Sequence, residues 1–129
     1  MPESETAEET AQRVVAALGR VKMRQAGYDE GTLQDEIERE FASSGFDFRR
    51  EAKIGPKCRP DFMVSGVVVE VKKGRPDRRA VERQLERYAA CPEAEALVLV
   101  IERSMPLPEA IRDKPVHVVS VNANWGIAI

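Results

Sequence analysis

Asp61, Glu70 and Lys72 are the residues of this 129-residue chain whose types and spacing could do chemistry together. The run Val67–Lys72 is valine-rich, as strands are, and along a strand successive side chains point to opposite faces. Val68, Glu70 and Lys72 therefore share one side, with Glu70 and Lys72 about 7 Å apart by the strand rise. Asp61 opens the preceding strand, near the open end of the same hairpin, so its carboxylate can converge on Glu70. A charged pair at the mouth of an apolar element is costly unless it is paired or metal-bound. Two converging carboxylates and a lysine are what metal-assisted phosphodiester hydrolysis needs. Hard oxygen ligands hold Mg2+ or Mn2+, and the cation lowers the pKa of a bound water and neutralises charge on the phosphate. A lysine beside it orients the attacking water or stabilises the transition state. A Glu-x-Lys pair alone is ordinary on a solvated edge strand; the order of the three residues on a hairpin carries the expectation.

The elements that must position these residues follow from periodicity and punctuation. Residues 1–9 are acidic and polar and read as frayed or disordered. Val14, Val15, Leu18, Val21 and Met23 predict an amphipathic helix over residues 10–25, ended by Gly27. Asp29 or Thr32 caps a second helix that runs to Ser43, with Gly45 as its stop. Its apolar stripe is Leu33, Ile37 and Phe41, with Glu36 and Glu40 beside it. A strand over residues 46–54 is interrupted by Gly55-Pro56. Strands over 61–64 and 67–72 flank a tight hairpin at Ser65-Gly66. Residues 74–77 form a loop, and a helix over 78–90 carries Val81, Leu85 and Ala89 on one stripe before Pro92. The unbroken apolar run 96–101 predicts a buried strand. One helical turn at 109–112, a strand at 116–121 and a short edge or core cover at 125–129 complete the chain. This order predicts a single domain, an α/β sandwich with a mixed β-sheet flanked by helices.

The triplet Arg59-Pro60-Asp61, followed after the hairpin by Glu70-Val71-Lys72, resembles the PD…ExK signature of the PD-(D/E)xK nucleases. The likeness to this restriction-endonuclease-like superfamily spans residues 30–101 and implies a core in αβββαβ order, with residues 10–25 as an extra N-terminal helix. It implies that Asp61, Glu70 and the carbonyl of Val71 hold the metal and that Lys72 assists catalysis. Gln84 and Tyr88 resemble the QxxxY motif of the RecB-like branch, which lies near the active site or bound nucleic acid. On a helical wheel the two flank Val81 and Leu85, so the helix aims them at the sheet. The superfamily also commonly takes an acid from the first core helix; Glu36 is the choice here, with Glu40 and Glu30 behind it. Members that carry an iron–sulfur cluster need four cysteines, and Cys58 and Cys91 cannot supply them, so no such cluster is expected.

Charge distribution adds a partner. Residues 49–87 hold twelve Lys and Arg against six acids, a local charge of +6, while the rest of the chain carries -8 within a net charge of -2. A polyanion would meet one basic surface on an otherwise repelling molecule. Lys57 and Arg59 before the site, and Lys73, Arg75, Arg78 and Arg79 after it, are the expected contacts to a nucleic-acid backbone. Such contacts give salt-dependent, sequence-blind affinity. The cysteines sit in no CxxC pattern and read as free thiols of a reduced compartment. With no apolar run near membrane-spanning length and an N-terminus unlike a signal peptide, a cytoplasmic location with no membrane partner is expected. His117 and Trp125 read as structural, and Ser43, Ser44 and Ser104 have no histidine at a nucleophile's spacing.

The expectation is thus a Mg2+- or Mn2+-dependent enzyme that hydrolyses DNA, with RNA left open, through a metal-activated water. A domain this small usually gains grip by pairing, which makes a homodimer an expectation too. The rival is a catalytically silent domain of the same fold that binds nucleic acid or a protein partner. A third reading is a plain α/β interaction module, which requires Glu70 exposed on an edge strand and distant from Asp61.

Overall fold

The structure, a computed structural model, describes residues 5–23 and 27–121. Helix α1 spans Ala7–Leu18 and starts earlier than its apolar periodicity implies. Thr6 accepts a hydrogen bond from the Glu9 amide at 3.1 Å, and the Glu9 carboxylate accepts one from the Thr6 amide at 2.9 Å. This capping box orders residues 5–9, which were expected to fray, and Glu8 and Glu9 lie favourably in the first turn of the helix dipole. The helix also ends sooner than residue 25, at the Gly19 cap, because glycine is a poor helix former. Val21 leaves the helix but stays buried in the core. Helix α2, Glu30–Ser43, is capped by Asp29, whose Oδ1 accepts from the Thr32 amide at 2.7 Å. Gly45, with φ of 78°, closes it as expected.

Among the described residues six strands form one mixed sheet in the order β1-β2-β3-β4-β6-β5. They are β1 Phe48–Arg50, β2 Phe62–Val64, β3 Val67–Lys72, β4 Ala96–Ile101, β5 Ala110–Ile111 and β6 Lys114–Ser120. β1, β2 and β3 run antiparallel in turn, β3, β4 and β6 are parallel, and β5 returns antiparallel on β6. Helix α3, Arg78–Ala89, capped by Asp77, makes the crossover between the parallel strands β3 and β4. β1 is far shorter than the expected 46–54, since Glu51, with φ of 53°, turns the chain out of the ladder. The helical turn expected at 109–112 is instead β5. Arg112 and Asp113 both adopt positive φ, 52° and 62°, the backbone of a type I′ hairpin turn. The segment 125–129 lies outside the described residues.

Strand alternation divides the core into two layers. Val67, Val69, Val71, Val98 and Val100 face α1 and α2, packed with Leu33, Ile37 and Phe41. Val68, Leu97, Leu99 and Ile101 face α3 through Val81, Leu85 and Tyr88. β4 is buried on both faces over its whole length, which explains its uninterrupted apolar composition. None of the described helices is long and apolar enough to cross a membrane.

Phe41 anchors α2 by edge contacts with Phe46, Phe48 and Phe62, at ring-centroid distances of 5.5, 5.7 and 5.4 Å. Phe41→Ala should therefore lower the unfolding free energy in urea titration by about 3–5 kcal/mol. Phe48→Ala, at a half-buried position, should cost clearly less. Equal losses would contradict this packing.

Candidate active site

The Pro60-Asp61 dipeptide ends a ladder. β2 and β3 pair from Val64↔Val67 to Phe62↔Val69, and the same register continued would set Asp61 against Glu70 and Pro60 against Val71. Proline has no N–H to donate, so the backbone pairing stops. The Val71 amide donates instead to Asp61 Oδ2 at 2.7 Å, and the Asp61 amide reaches Glu70 Oε1 at 3.3 Å. The aspartate side chain thus replaces the missing rung and is held against the next strand.

β3 lies between β2 and β4, so Glu70 is only 4 % exposed. Each of its carboxylate oxygens has a partner. Lys72 Nζ sits 3.2 Å from Oε2, and the Tyr88 hydroxyl donates to Oε1 at 3.0 Å. Gln84 Nε2 in turn donates to the Tyr88 oxygen at 3.0 Å. Gln84 and Tyr88 are one turn apart on the α3 face that covers the sheet, which makes them a relay that orients Glu70. The interaction-module geometry, with Glu70 exposed at an edge and remote from Asp61, is not what the chain adopts.

Burial pushes the Asp61 carboxyl up to about 7, and the neighbouring Glu70 charge adds to the rise; the Val71 amide opposes it. Burial also raises Glu70, against the stabilising pull of Lys72 and of its hydrogen bonds to Lys72 and Tyr88. The Tyr88 hydroxyl is raised well above its ordinary value by burial and by the facing carboxylates, so it stays a donor. Two carboxylates that resist ionising side by side suit a divalent cation, which would relieve both. Among the described residues no group of three or more His, Cys, Asp or Glu side chains is placed to hold a metal ion. Asp61, Glu70 and the Val71 carbonyl with water would still make a donor set of the kind Mg2+ accepts.

Glu36 is not brought to this site. It pairs with Arg39 at 3.0 Å and borders a depression with Arg20, Lys22 and Glu40. Glu40 binds Arg20 and Ser44 at 3.0 and 2.8 Å. The α2 acid whose charge reaches Asp61 is Glu30, about 9 Å nearer the helix start by the helical rise. The Asp29 cap was the available signal, because it makes Glu30 the first helical residue.

The basic candidates separate into paired and unpaired groups. Lys73 lies 3.5 Å from Glu102 and Arg78 3.7 Å from Glu82. Lys57, Arg59, Arg75 and Arg79 make no ion pair among the described residues, and neither do Lys53, Arg83 and Arg87, which were not singled out. Cys58 and Cys91 are buried free thiols, and each Sγ lies 3.5 Å from the Arg87 carbonyl oxygen. His117 pairs with Glu8, joining β6 to α1. Compared with family models, curated proteins and solved structures, the chain matches none.

A folded-state pKa raised above the unfolded value favours folding at low pH, and the benefit is lost as pH rises through the folded value. Asp61, raised from 3.8 to about 7, should therefore cost the metal-free protein stability as pH climbs from 4 to 7. Melting curves in EDTA across that range should show a shallower decline for Asp61→Asn than for the parent. Parallel declines would refute the raised Asp61 pKa.

Proposed function

We propose that the chain is a divalent-metal-dependent nuclease with a restriction-endonuclease-like core, acting on DNA by hydrolysis of a phosphodiester. The observation that carries the reading is the meeting of two carboxylates, from the half-buried Asp61 just before β2 and the buried Glu70 on β3. Asp61 is tied to the Val71 amide at 2.7 Å, and Glu70 is bonded to Lys72 and Tyr88 at 3.2 and 3.0 Å. An apolar pair would fill the same space at lower cost, so a chain that buries this charge has a chemical reason to do so. The α2-β1-β2-β3-α3-β4 succession, with parallel β3 and β4, agrees with the αβββαβ core that the PD…ExK signature implies.

In this reading Asp61, Glu70 and the Val71 carbonyl hold Mg2+ or Mn2+, which when bound supplies an activated water and neutralises charge at the phosphate. Lys72, 27 % exposed at the end of β3, reaches solvent from beside Glu70 and is the residue placed to donate to a phosphate oxygen or to the attacking water. Tyr88, held in turn by Gln84, fixes Oε1 of Glu70. Glu30 supplies a further negative charge near the metal site, from the start of α2.

Plasmid and single-stranded DNA should be cleaved with Mg2+ or Mn2+ and left intact in EDTA. Lys72→Ala, checked for folding by circular dichroism, should slow cleavage by at least about 100-fold. Cleavage that survives both controls would sink the mechanism. Salt-sensitive DNA binding without cleavage would instead favour the silent domain of the same fold.

A further inference from the structure

The loop before Asp61 builds a second feature. Lys53, Lys57 and Arg59, together with Cys58, Gln84 and Tyr88, line an open depression of about 440 Å3. None of the three cations has an ion-pair partner among the described residues, and no acidic residue lines the depression. Tyr88 forms part of its wall and also donates to Glu70 at 3.0 Å, so the depression stands one side chain from the carboxylate pair.

The loop is held in shape. The Ile54 amide donates to the Cys58 carbonyl at 2.9 Å, and the Cys58 amide to the Gly55 carbonyl at 3.1 Å. That turn has Pro56 at its second position and Lys57 at its third, with φ of 57°, where glycine or asparagine is the cheaper residue. Below it, a Cβ on Gly55 would come within 2.8 Å of Cys91 Sγ, which locks the turn against the end of α3. A lysine is therefore kept, at a conformational cost, at the tip of a turn fastened to the core. Three cations on seven consecutive residues exceed what one phosphodiester, of charge -1, requires. They suit a phosphomonoester, which carries about -1.5 to -2 near neutral pH.

We propose, building on the nuclease reading above, that this depression is a subsite for a phosphomonoester at the end of a nucleic-acid strand, beside the carboxylate pair. The substrate class is then a phosphorylated strand end, and cleavage starts from that end. The same charge is present at a 5′ or a 3′ terminus, and the experiment separates them.

Three versions of one single-stranded DNA oligonucleotide, with a 5′-phosphate, a 3′-phosphate or hydroxyls at both ends, are titrated in EDTA at one salt concentration, with fluorescence anisotropy as the readout. One phosphorylated form should bind roughly tenfold tighter than the hydroxyl form. Lys57→Gly and Arg59→Gln should each bring that ratio toward one. Lys57→Gly also removes the left-handed strain and should melt no lower than the parent, so its loss of discrimination is not unfolding. Equal affinity for all three oligonucleotides, or a ratio untouched by both variants, overturns the subsite. With Mg2+, cleavage of a closed single-stranded circle as fast as of the preferred linear strand overturns it too, and leaves the nuclease reading standing. Phosphate discrimination in EDTA with no cleavage in Mg2+ upholds the subsite and overturns the nuclease reading instead.

Discussion

Glu70 sits on an interior strand, where an ionised carboxylate is tolerated only if its oxygens are partnered. Much of the molecule is arranged around that requirement. Lys72 must follow two residues later to share its face, and α3 must cross the sheet so that Tyr88 reaches down to Oε1. Gln84 must lie one turn before Tyr88 to hold its hydroxyl in place. β2 must stop at Phe62 so that Asp61 can turn its side chain, rather than its backbone, toward β3. Pro60 enforces that stop at no cost to the core, being itself buried and unable to continue the ladder. The proline and the aspartate are thus two halves of one local device.

The same economy governs charge outside the site. Of the basic residues between 49 and 87, several are neutralised locally: Arg49 by Glu93, Arg50 by Asp35 and Glu38, Lys73 by Glu102 and Arg78 by Glu82. Those without an ion pair among the described residues gather on the 53–59 loop and on the exposed side of α3 at Arg79, Arg83 and Arg87, with Arg75 between. These arginines recur every fourth residue, and on a helix that spacing keeps them in one row beside Gln84. The cations of the loop share a depression with Tyr88, the residue that donates to Glu70, whereas Arg79, Arg83 and Arg87 line another together with Glu82 and Glu86.

Much of this was legible in the residues. The Ser65-Gly66 hairpin, β4, α3 and the shared face of Glu70 and Lys72 follow from short-range rules: alternation along a strand, 3.6-residue periodicity and turn chemistry; Tyr88 was pointed to the site by the resemblance to the QxxxY motif. The ends of α1 and the identity of β5 did not follow so directly. The capping box competes with fraying at one end of α1 and Gly19 acts at the other. The I′ turn at Arg112-Asp113 uses residues that carry no glycine signal.

Sequence by itself determined which side chains share a face of one element, because the period of a strand or helix is set by covalent geometry. That was enough to pair Glu70 with Lys72 and Gln84 with Tyr88. It could not choose among Glu30, Glu36 and Glu40, since all three belong to one helix and the choice depends on which end of α2 meets Asp61. Nor could it separate the cations that neighbouring acids neutralise from those left open to an anion. Both questions concern residues far apart in the chain, and only the packing of α2 and α3 against opposite faces of the sheet decided them.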